Sequence, residues 1–334
     1  MNPTTATRTL EGVSYQVLES DEVRICVCPE KGGELSSIVY KRVMDGGELL
    51  FRGNDYSSTE LPFQGRAPLM WPTVTRNYVE EVVPTVRQGH LPASSSYRYK
   101  ETLCHVPGRS GFAKDLPWTV ADLDQERGIC IELRSSERTK AMYPFDFTLQ
   151  AAFSIEQYTV VARYTVANRS TDTMFFSIGN HIGLNVPFKK HSSIDDLVLM
   201  TSGKYTRGYD EHLMMTDELI PVALRQGLGF RDHPGVFTMT TTGYNYDDNY
   251  FRILDQDLCY EITQRVNRER GRGYALPPES EIYFTTWGGR DIGLICSEPW
   301  IGGVNSFNTR KGLIYLEPHG LFVWELRISL RHTL

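Results

Sequence analysis

The feature that most constrains the fold of this chain is an alternation of apolar and polar side chains with a period of two. From Phe145 to Ile155, every second residue is apolar and most residues between them are polar. Successive side chains of a strand point to opposite faces, so the pattern predicts a strand with one buried face. The segment from Phe322 to Leu330 predicts a second such strand. Weaker versions lie at 23–27, 129–133 and 160–166, the last ending in turn-forming residues at 168–172.

Helical periodicity is scarce in the rest of the chain. The best helical candidate runs from Asp210 to Gln226, and Pro221 interrupts it. Aromatic residues make up 11% of the chain and suit pleated surfaces. Many short strands at spacings of about ten residues predict an all-β sandwich or barrel. No linker divides the 334 residues, so we expect one domain over 1–334, with 1–12 as a candidate flexible segment.

Charge and composition exclude several classes of function. The chain has 35 Lys and Arg against 41 Asp and Glu, a net charge of −6, which argues against nucleic-acid binding. No apolar run approaches the ~18 residues of a membrane helix, and the N-terminus lacks a signal core, so we expect no membrane contact and a cytoplasmic location. Cys26 and Cys28 lie in an extended apolar stretch and fit reduced structural cysteines, with a metal or redox pair as the alternative. Zinc-protease, phosphate-loop and dinucleotide motifs are absent from the sequence, which predicts no cofactor and no metal.

Three clusters contain side chains suited to chemistry. His181 stands among small and apolar residues after a strand-like run, and it is either a core histidine or an acid, base or ligand. Glu298 ends an apolar run before a proline and a tryptophan, and it is either a salt-bridged edge residue or a functional carboxylate. Arg66 and Arg76 flank an apolar loop, and either is equally explained as a surface charge. Sugar rings present apolar faces to aromatic side chains and hydroxyls to carboxylates and arginines, so a carbohydrate ligand suits this composition.

Six motifs occur in a fixed order along nearly the whole chain, at 66–76, 110–118, 143–147, 179–185, 295–300 and 311–320. Together they resemble the motifs of the aldose 1-epimerase (galactose mutarotase-like) superfamily. The resemblance implies a β-supersandwich with few short helices. It also implies an enzyme without a cofactor that interconverts the α and β anomers of a free hexose.

The resemblance also assigns roles to individual residues. Glu298 takes the place of the family's base and His181 that of its acid. Arg76 resembles the family's sugar-contacting arginine, and Trp300 is a stacking or wall residue. Asn185 belongs to the same motif as His181 and is a further sugar-contact candidate.

Two further sugar contacts are less direct matches to the family. Asp247 resembles an aspartate that grips sugar hydroxyls, with Asp248 and a plain solvated turn as alternatives. Ser110 stands where the family usually has a second histidine, which puts the choice of substrate in doubt more than the reaction. His105 is a candidate substitute for that histidine. The alternative is that His105 is an exposed loop residue without a role in binding.

Other functions remain open at the level of sequence. An epimerase of phosphorylated hexoses would need several basic residues around a phosphate, for which the candidates are Arg66, Arg76, Lys114 and Arg207. A non-catalytic sugar-binding protein on the same fold is a second alternative, and a polysaccharide lyase or glycosidase is a more remote one. The expected partner in the leading interpretation is a small sugar. A homodimer is considered, although no residue pattern indicates it.

Overall fold

The computed structural model describes residues 3–10, 12–44, 47–53, 65–83, 86, 92, 94–124, 128–210, 214–233, 235–247 and 249–333. Strands dominate these residues, as the period-two patterns predict. Short helices accompany them in the described part of the chain, among them α1 (Glu137–Met142) and α2 (Ser306–Thr309), together with six single-turn 3-10 helices. The predicted all-β class with few short helices is therefore confirmed.

The N-terminal part of the chain forms a four-stranded antiparallel sheet. Its strands lie in chain order, β1 (Thr4–Leu10), β2 (Val13–Glu19), β3 (Val23–Cys28) and β4 (Glu34–Tyr40). Residues 4–10, which were a candidate flexible segment, are instead an edge strand paired with β2 along its whole length. The four threonines of this strand explain the difference, because β-branched residues favour extended backbone. Residues 1, 2 and 11 lie outside the described part of the chain.

Two large antiparallel sheets build the rest of the molecule. The larger has the path β18 (Leu228–Gly229), β15 (Leu197–Thr201), β20 (Phe251–Asp255), β21 (Leu258–Val266), β25 (Ile314–His332), β11 (Thr159–Asn168), β10 (Phe147–Glu156), β9 (Gly128–Arg134) and β8 (Thr119–Asp124). Two further strands, β12 (Met174–Phe176) and β22 (Arg272–Ala275), also pair with β25.

The second large sheet carries the candidate site. Its path is β17 (Met215–Pro221), β16 (Tyr205–Tyr209), β19 (Val236–Thr242), β23 (Ile282–Gly289), β24 (Leu294–Ile301), β13 (Ile178–Asn180) and β5 (Leu69–Met70), and β14 (Ile182–Asn185) also pairs with β24. A separate hairpin consists of β6 (Ser94–Tyr99) and β7 (Thr102–Pro107).

The five strands predicted from alternation correspond to β3, β9, β10, β11 and β25. In β10 the predicted inner residues Phe147, Leu149 and Phe153 are buried, whereas Gln150 and Ser154 are half-buried. The turn-forming residues 168–172 follow the end of β11, as predicted.

The best helical candidate, Asp210 to Gln226, contains a strand and one 3-10 turn among its described residues. Residues 215–221 form β17, which pairs with β16 at the edge of the second large sheet. Most side chains of β17 are exposed, so the apolar spacing that suggested a helix does not mark a buried face. Pro221 lies at the last position of this edge strand, where a missing N–H costs little.

The two large sheets pack face to face around one apolar core. Phe251 of the larger sheet stacks on Phe284 of the second, with ring centroids 5.8 Å apart. The Tyr260 and Ser297 hydroxyls are hydrogen-bonded across the same interface at 2.7 Å. Because side chains alternate along a strand, the odd side of β24 that holds Ser297 faces the core, and its neighbours at 296, 298 and 300 face the other way.

Candidate active site

The candidate site lies on the face of the second large sheet that is turned away from the inter-sheet core. Glu298 is in the middle of β24 and only 3% exposed. Cys296 and Trp300 are two residues away on either side, so they share its face. A buried carboxylate needs a compensating group, and its cross-strand neighbours supply the candidates.

His181 is held directly opposite Glu298 by the strand register. β13 pairs Gly179 with Trp300, and β14 pairs Ile182 with Ser297, so the shared register sets His181 against Glu298 between them. Pro299 has no N–H to donate, which accounts for the break between β13 and β14 at this point. The His181 backbone N–H instead donates to the Pro68 carbonyl at 3.1 Å.

The His181–Glu298 pair is close, with Glu298 buried and His181 half-buried. The His181 Nε2 and Glu298 Oε1 atoms are 3.3 Å apart, with side chains 22% and 4% exposed. Burial lowers the pKa of His181 to about 4. Burial also raises the pKa of Glu298 well above its usual value, and the Trp300 indole N–H opposes part of this rise. Both effects favour the state in which the pair holds one proton and carries no net charge.

An apolar wall flanks the pair. Trp300 is 5% exposed and packs in a cluster with Met70, Val74 and Tyr283. A Cβ added at Gly179 would lie 2.7 Å from Trp300 Cδ1. The glycine two residues before His181 is therefore required by the close approach of the Trp300 ring to the backbone of β13.

A row of hydroxyl groups runs across the sheet towards Glu298. The register aligns Thr240 with Thr285, and Thr285 with Glu298. The Tyr209 hydroxyl lies 2.7 Å from Thr240 Oγ1, which lies 2.9 Å from Thr285 Oγ1. Burial raises the pKa of Tyr209 to about 12, its hydrogen bond with Thr240 opposes the rise, and the charge of Glu298 adds to it. Tyr209 therefore belongs to the environment of Glu298.

This row of hydroxyls was not predicted from the sequence. Tyr209 is a diagonal neighbour of Thr240, because β19 pairs Thr240 with Arg207, and a tyrosine side chain is long enough to span that diagonal. The only signal in the sequence was the threonine-rich run at 238–242. An ordinary strand explains this run equally well.

The comparisons with known proteins agree with this architecture. Residues 109–269 match the family model described as aldose 1-epimerase, a stretch that includes His181 and ends before Glu298. Over this stretch the chain resembles the aldose 1-epimerase family, as its motifs predict. Within curated sequences, a Salmonella typhimurium protein provisionally named a glucose-6-phosphate 1-epimerase is 25% identical over 225 residues, 66% of this chain and 67% of the relative.

Solved structures of the superfamily share the whole fold. A galactose mutarotase-like protein from Clostridium acetobutylicum superimposes with a TM-score of 0.77 at 14% identity, covering 99% of both chains. A galactose mutarotase-related enzyme from Lactobacillus acidophilus gives 0.73 at 17% identity, covering 96% of this chain and 98% of the other. A galactose 1-epimerase from the same species gives 0.68 at 12% identity over 100% of both. These likenesses confirm the predicted β-sandwich fold, and the match of residues 109–269 agrees with the predicted resemblance to aldose 1-epimerases.

The superfamily resemblance also assigned sugar contacts to Asn185, Ser110 and His105. Asn185 is half-buried, and its side-chain amide donates to the carbonyls of Glu48 and Leu50, both at 2.9 Å. Ser110 is half-buried beside Gly111, which pairs with Trp71. His105 lies on the exposed side of β7, whose buried side holds Cys104 and Val106, and no described contact joins it to Glu298.

Asp247 lies in an exposed turn, where its backbone N–H donates to Asn245 at 2.8 Å. It lines a groove of about 260 Å³ together with the side chains of Arg252, Glu261 and Arg327, which belong to the larger sheet. The residues of this groove that belong to strands are on the larger sheet, whereas the His181–Glu298 pair lies on the second sheet. Asp248, its alternative, lies outside the described residues.

Three of the four basic residues nominated for a phosphate have carboxylate partners. Arg66 is 1% exposed and therefore not a surface charge, and its Nε lies 3.7 Å from Glu34. Lys114 binds Asp115 at 2.7 Å. Arg207 lies 3.4 Å from Glu281, and its Nη1 donates to the Tyr283 hydroxyl at 2.8 Å.

His181, Cys296 and Glu298 also form the one group of potential metal ligands among the described residues, with ligand atoms within 4.8 Å of one another. A metal ion there would occupy the same nitrogen and oxygen that form the acid–base pair. All six cysteines are free thiols, and burial raises the pKa of Cys28 to about 11, which suits the structural interpretation of that residue. Within the described residues, no helix has the length and apolar character needed to span a membrane.

Proposed function

We propose that the protein interconverts the α and β anomers of a hexose by general acid–base catalysis at Glu298 and His181. The observation that carries this proposal is the cross-strand pair itself. Nε2 and Oε1 are 3.3 Å apart, buried, and on the face of the sheet that also carries Trp300. An acid and a base side by side can act on the two oxygens of one anomeric carbon.

Anomer exchange requires one proton to leave the O1 hydroxyl while another reaches the ring oxygen. The base takes the O1 proton, the acid protonates the ring oxygen, and the C1–O5 bond breaks to give the open-chain aldehyde. After rotation about C1–C2, the same transfers run in reverse and the ring closes on the other face of the carbonyl. Atoms and charge balance in each half, so the site needs no co-reactant.

The roles of acid and base follow from where the single proton of the pair resides. With the proton on His181, Glu298 accepts from O1 and His181 donates to the ring oxygen, as the superfamily resemblance assigns. Burial favours the uncharged arrangement, with the proton on Glu298. Because ring opening and ring closure use the two groups in opposite directions, either arrangement completes a turnover with the same residues.

The surroundings of the pair suit a sugar. Trp300 presents an apolar surface, and Tyr209 and Thr240 present hydroxyls. The names of relatives support the same class, because the Lactobacillus acidophilus structure is called a galactose 1-epimerase and the Salmonella relative a glucose-6-phosphate 1-epimerase. Both names describe chemistry at C1 of a hexose.

Saturation-transfer NMR of anomer exchange tests the proposal. A panel of neutral and phosphorylated hexoses is measured with and without protein, in buffer containing EDTA so that a metal-dependent rate is not counted. We expect faster exchange for at least one hexose. Calorimetric sugar binding without faster exchange would contradict the proposal and favour the sugar-binding alternative.

A further inference from the structure

Cys296 is a buried nucleophilic side chain that the proposed anomer exchange does not use. It lies two residues before Glu298 on β24 and is 0% exposed. Three other buried thiols donate hydrogen bonds to backbone carbonyls, those of Cys28, Cys104 and Cys259. Within the described residues the Cys296 thiol has no such bond, and its sulfur lies within 4.8 Å of a ring nitrogen of His181 and a carboxylate oxygen of Glu298. Its described polar surroundings are therefore the acid–base pair itself.

The three side chains have the spacing of ligands to one metal ion. Cys296 and Glu298 share a face of β24, and the register of β13 and β14 brings His181 against them. A tetrahedral zinc ion with bonds of about 2.0–2.3 Å keeps its ligand atoms about 3.3–3.6 Å apart. His181 Nε2 and Glu298 Oε1 already lie 3.3 Å apart, and the sulfur is within 4.8 Å of both side chains. A side-chain rotation that moves the sulfur by about 1 Å would complete the ligand set.

Charge and ligand softness favour a zinc-like ion over magnesium. A thiolate and a carboxylate together neutralise a divalent cation, so the loaded site has no net charge to bury. Sulfur and imidazole nitrogen are ligands that zinc accepts, whereas magnesium prefers a shell of oxygen atoms. Loading releases two protons to the solvent, that of the thiol and the one that the acid–base pair holds. His181 is 22% exposed, which gives an ion a route to the site from solvent.

We propose that His181, Cys296 and Glu298 form a zinc-binding site that blocks the acid–base pair when it is loaded. The inhibitory part of this inference rests on the proposed function, whereas the binding part does not. An ion bound to Nε2 and Oε1 occupies the lone pairs that take up and return protons during anomer exchange. Zinc is then a reversible inhibitor of the enzyme and not its cofactor.

Cobalt absorption spectra test metal binding without turnover. Co²⁺ is titrated into metal-free wild type, Cys296→Ser and Cys28→Ser, because a thiolate ligand gives cobalt a charge-transfer band in the near ultraviolet. The control, Cys28, is equally buried but lies in the N-terminal sheet. We expect the band in the wild type and in Cys28→Ser but not in Cys296→Ser. Zinc competition should show a Kd at least about tenfold higher in Cys296→Ser.

The spectra decide the site in both directions. A wild type without the band, or a band that persists in Cys296→Ser, would overturn the metal site. Cys296→Ala provides a second variant without a thiol, in case serine at this buried position prevents folding.

Anomer exchange by saturation-transfer NMR tests the inhibition. Rates are measured without metal, with Zn²⁺ above its Kd, with Mg²⁺ and after excess EDTA, each minus the rate of a protein-free sample. We expect zinc to lower the wild-type rate at least about tenfold, EDTA to restore it, and magnesium to leave it within about twofold. Cys296→Ser should need at least about tenfold more zinc for the same fractional loss.

Failure of this inference and failure of the proposed function give different results. Unchanged or faster exchange in a zinc-loaded wild type would overturn the inhibitory role. Absence of exchange in the metal-free wild type with every hexose would overturn the proposed function instead, and the cobalt spectra would still decide the metal site.

Discussion

At the scale of single residues, the site depends on a pairing that the sequence does not display. The sequence motifs predicted a functional role for His181 and for Glu298, but a purely structural role was an alternative for each. What makes them a pair is the register of β13 and β14 on β24, which sets the two side chains opposite each other at 3.3 Å. The two residues are 117 positions apart in the sequence. The alternation of apolar residues predicts strands but not which strands are neighbours, so this contact could not be predicted.

The pH profile is the first residue-scale prediction. The pair is active when it holds one proton, so activity is lost when His181 gains a second proton or when Glu298 loses the first. Because burial lowers the pKa of His181 to about 4 and raises that of Glu298, we expect a plateau through neutral pH with the acid limb near pH 4. Anomer exchange is measured from pH 3.5 to 9, with the buffer rate subtracted. An acid limb centred near the ordinary histidine value of about 6.5 would contradict this environment.

The arginines show a second limit of residue-level prediction. Arg66 and Arg76 were equivalent in the sequence, yet Arg66 is buried against Glu34, whereas Arg76 is half-buried and donates to the Tyr78 hydroxyl. No local pattern separates the two arginines, because the burial of each depends on contacts with distant parts of the chain, such as that of Arg66 with Glu34.

At the scale of elements, the close packing of β13 on β24 holds the pair in place. The Gly179 backbone lies so near Trp300 that a methyl group there would meet Trp300 Cδ1 at 2.7 Å and the Pro299 carbonyl oxygen at 3.0 Å. Any side chain at this position must push the two strands apart or displace the ring. His181 is two residues further on and would move with β13.

We therefore predict that Gly179→Ala lowers both stability and activity. Overpacking of this kind costs about 1–3 kcal/mol in the free energy of unfolding, which denaturant titration measures. The matched control is Gly208→Ala, where an added Cβ meets only Thr216 Oγ1 at 3.4 Å, an ordinary contact. Equal stability of the two variants would show that the Trp300 ring leaves room for a side chain at position 179.

Elements with a strong alternating pattern were predictable, and short or irregular ones were not. β10 and β25 are long, one-sided and apolar, so their period-two signal is clear. β13 and β5 span three and two residues, too few for any periodicity, yet they flank the site. The segment 215–221 was a helical candidate because of the spacing of its apolar residues. Several of these residues are exposed on an edge strand, so their spacing does not mark a buried face.

At the scale of the whole molecule, the three larger sheets are joined by buried contacts. The 19-residue strand β25 pairs with β11, β12, β21 and β22. The Tyr40 hydroxyl at the end of the N-terminal sheet donates to the Ile328 carbonyl of β25 at 3.2 Å. The Tyr260–Ser297 hydrogen bond joins the two large sheets. From these contacts we propose that the chain forms the single domain expected from the absence of a linker.

A single domain of this kind should unfold in one step. We expect one calorimetric transition, with a van't Hoff enthalpy close to the calorimetric enthalpy, because no sheet can detach without exposing a shared core. The control is a repeat scan at a second heating rate, which checks that the transition is reversible. Two resolved transitions would mean that the N-terminal sheet or one large sheet folds as a separate unit.

The central claim is that the Glu298 carboxylate transfers the proton in anomer exchange, and Glu298→Gln tests it most directly. Glutamine keeps the shape of the side chain and removes its acid–base function. The matched control is Glu132→Gln, which replaces another buried glutamate, on β9 of the larger sheet. Saturation-transfer NMR on the best hexose should show a rate at least ~10²-fold lower for Glu298→Gln and a rate near that of the wild type for Glu132→Gln. Full activity of a folded Glu298→Gln protein would contradict the account.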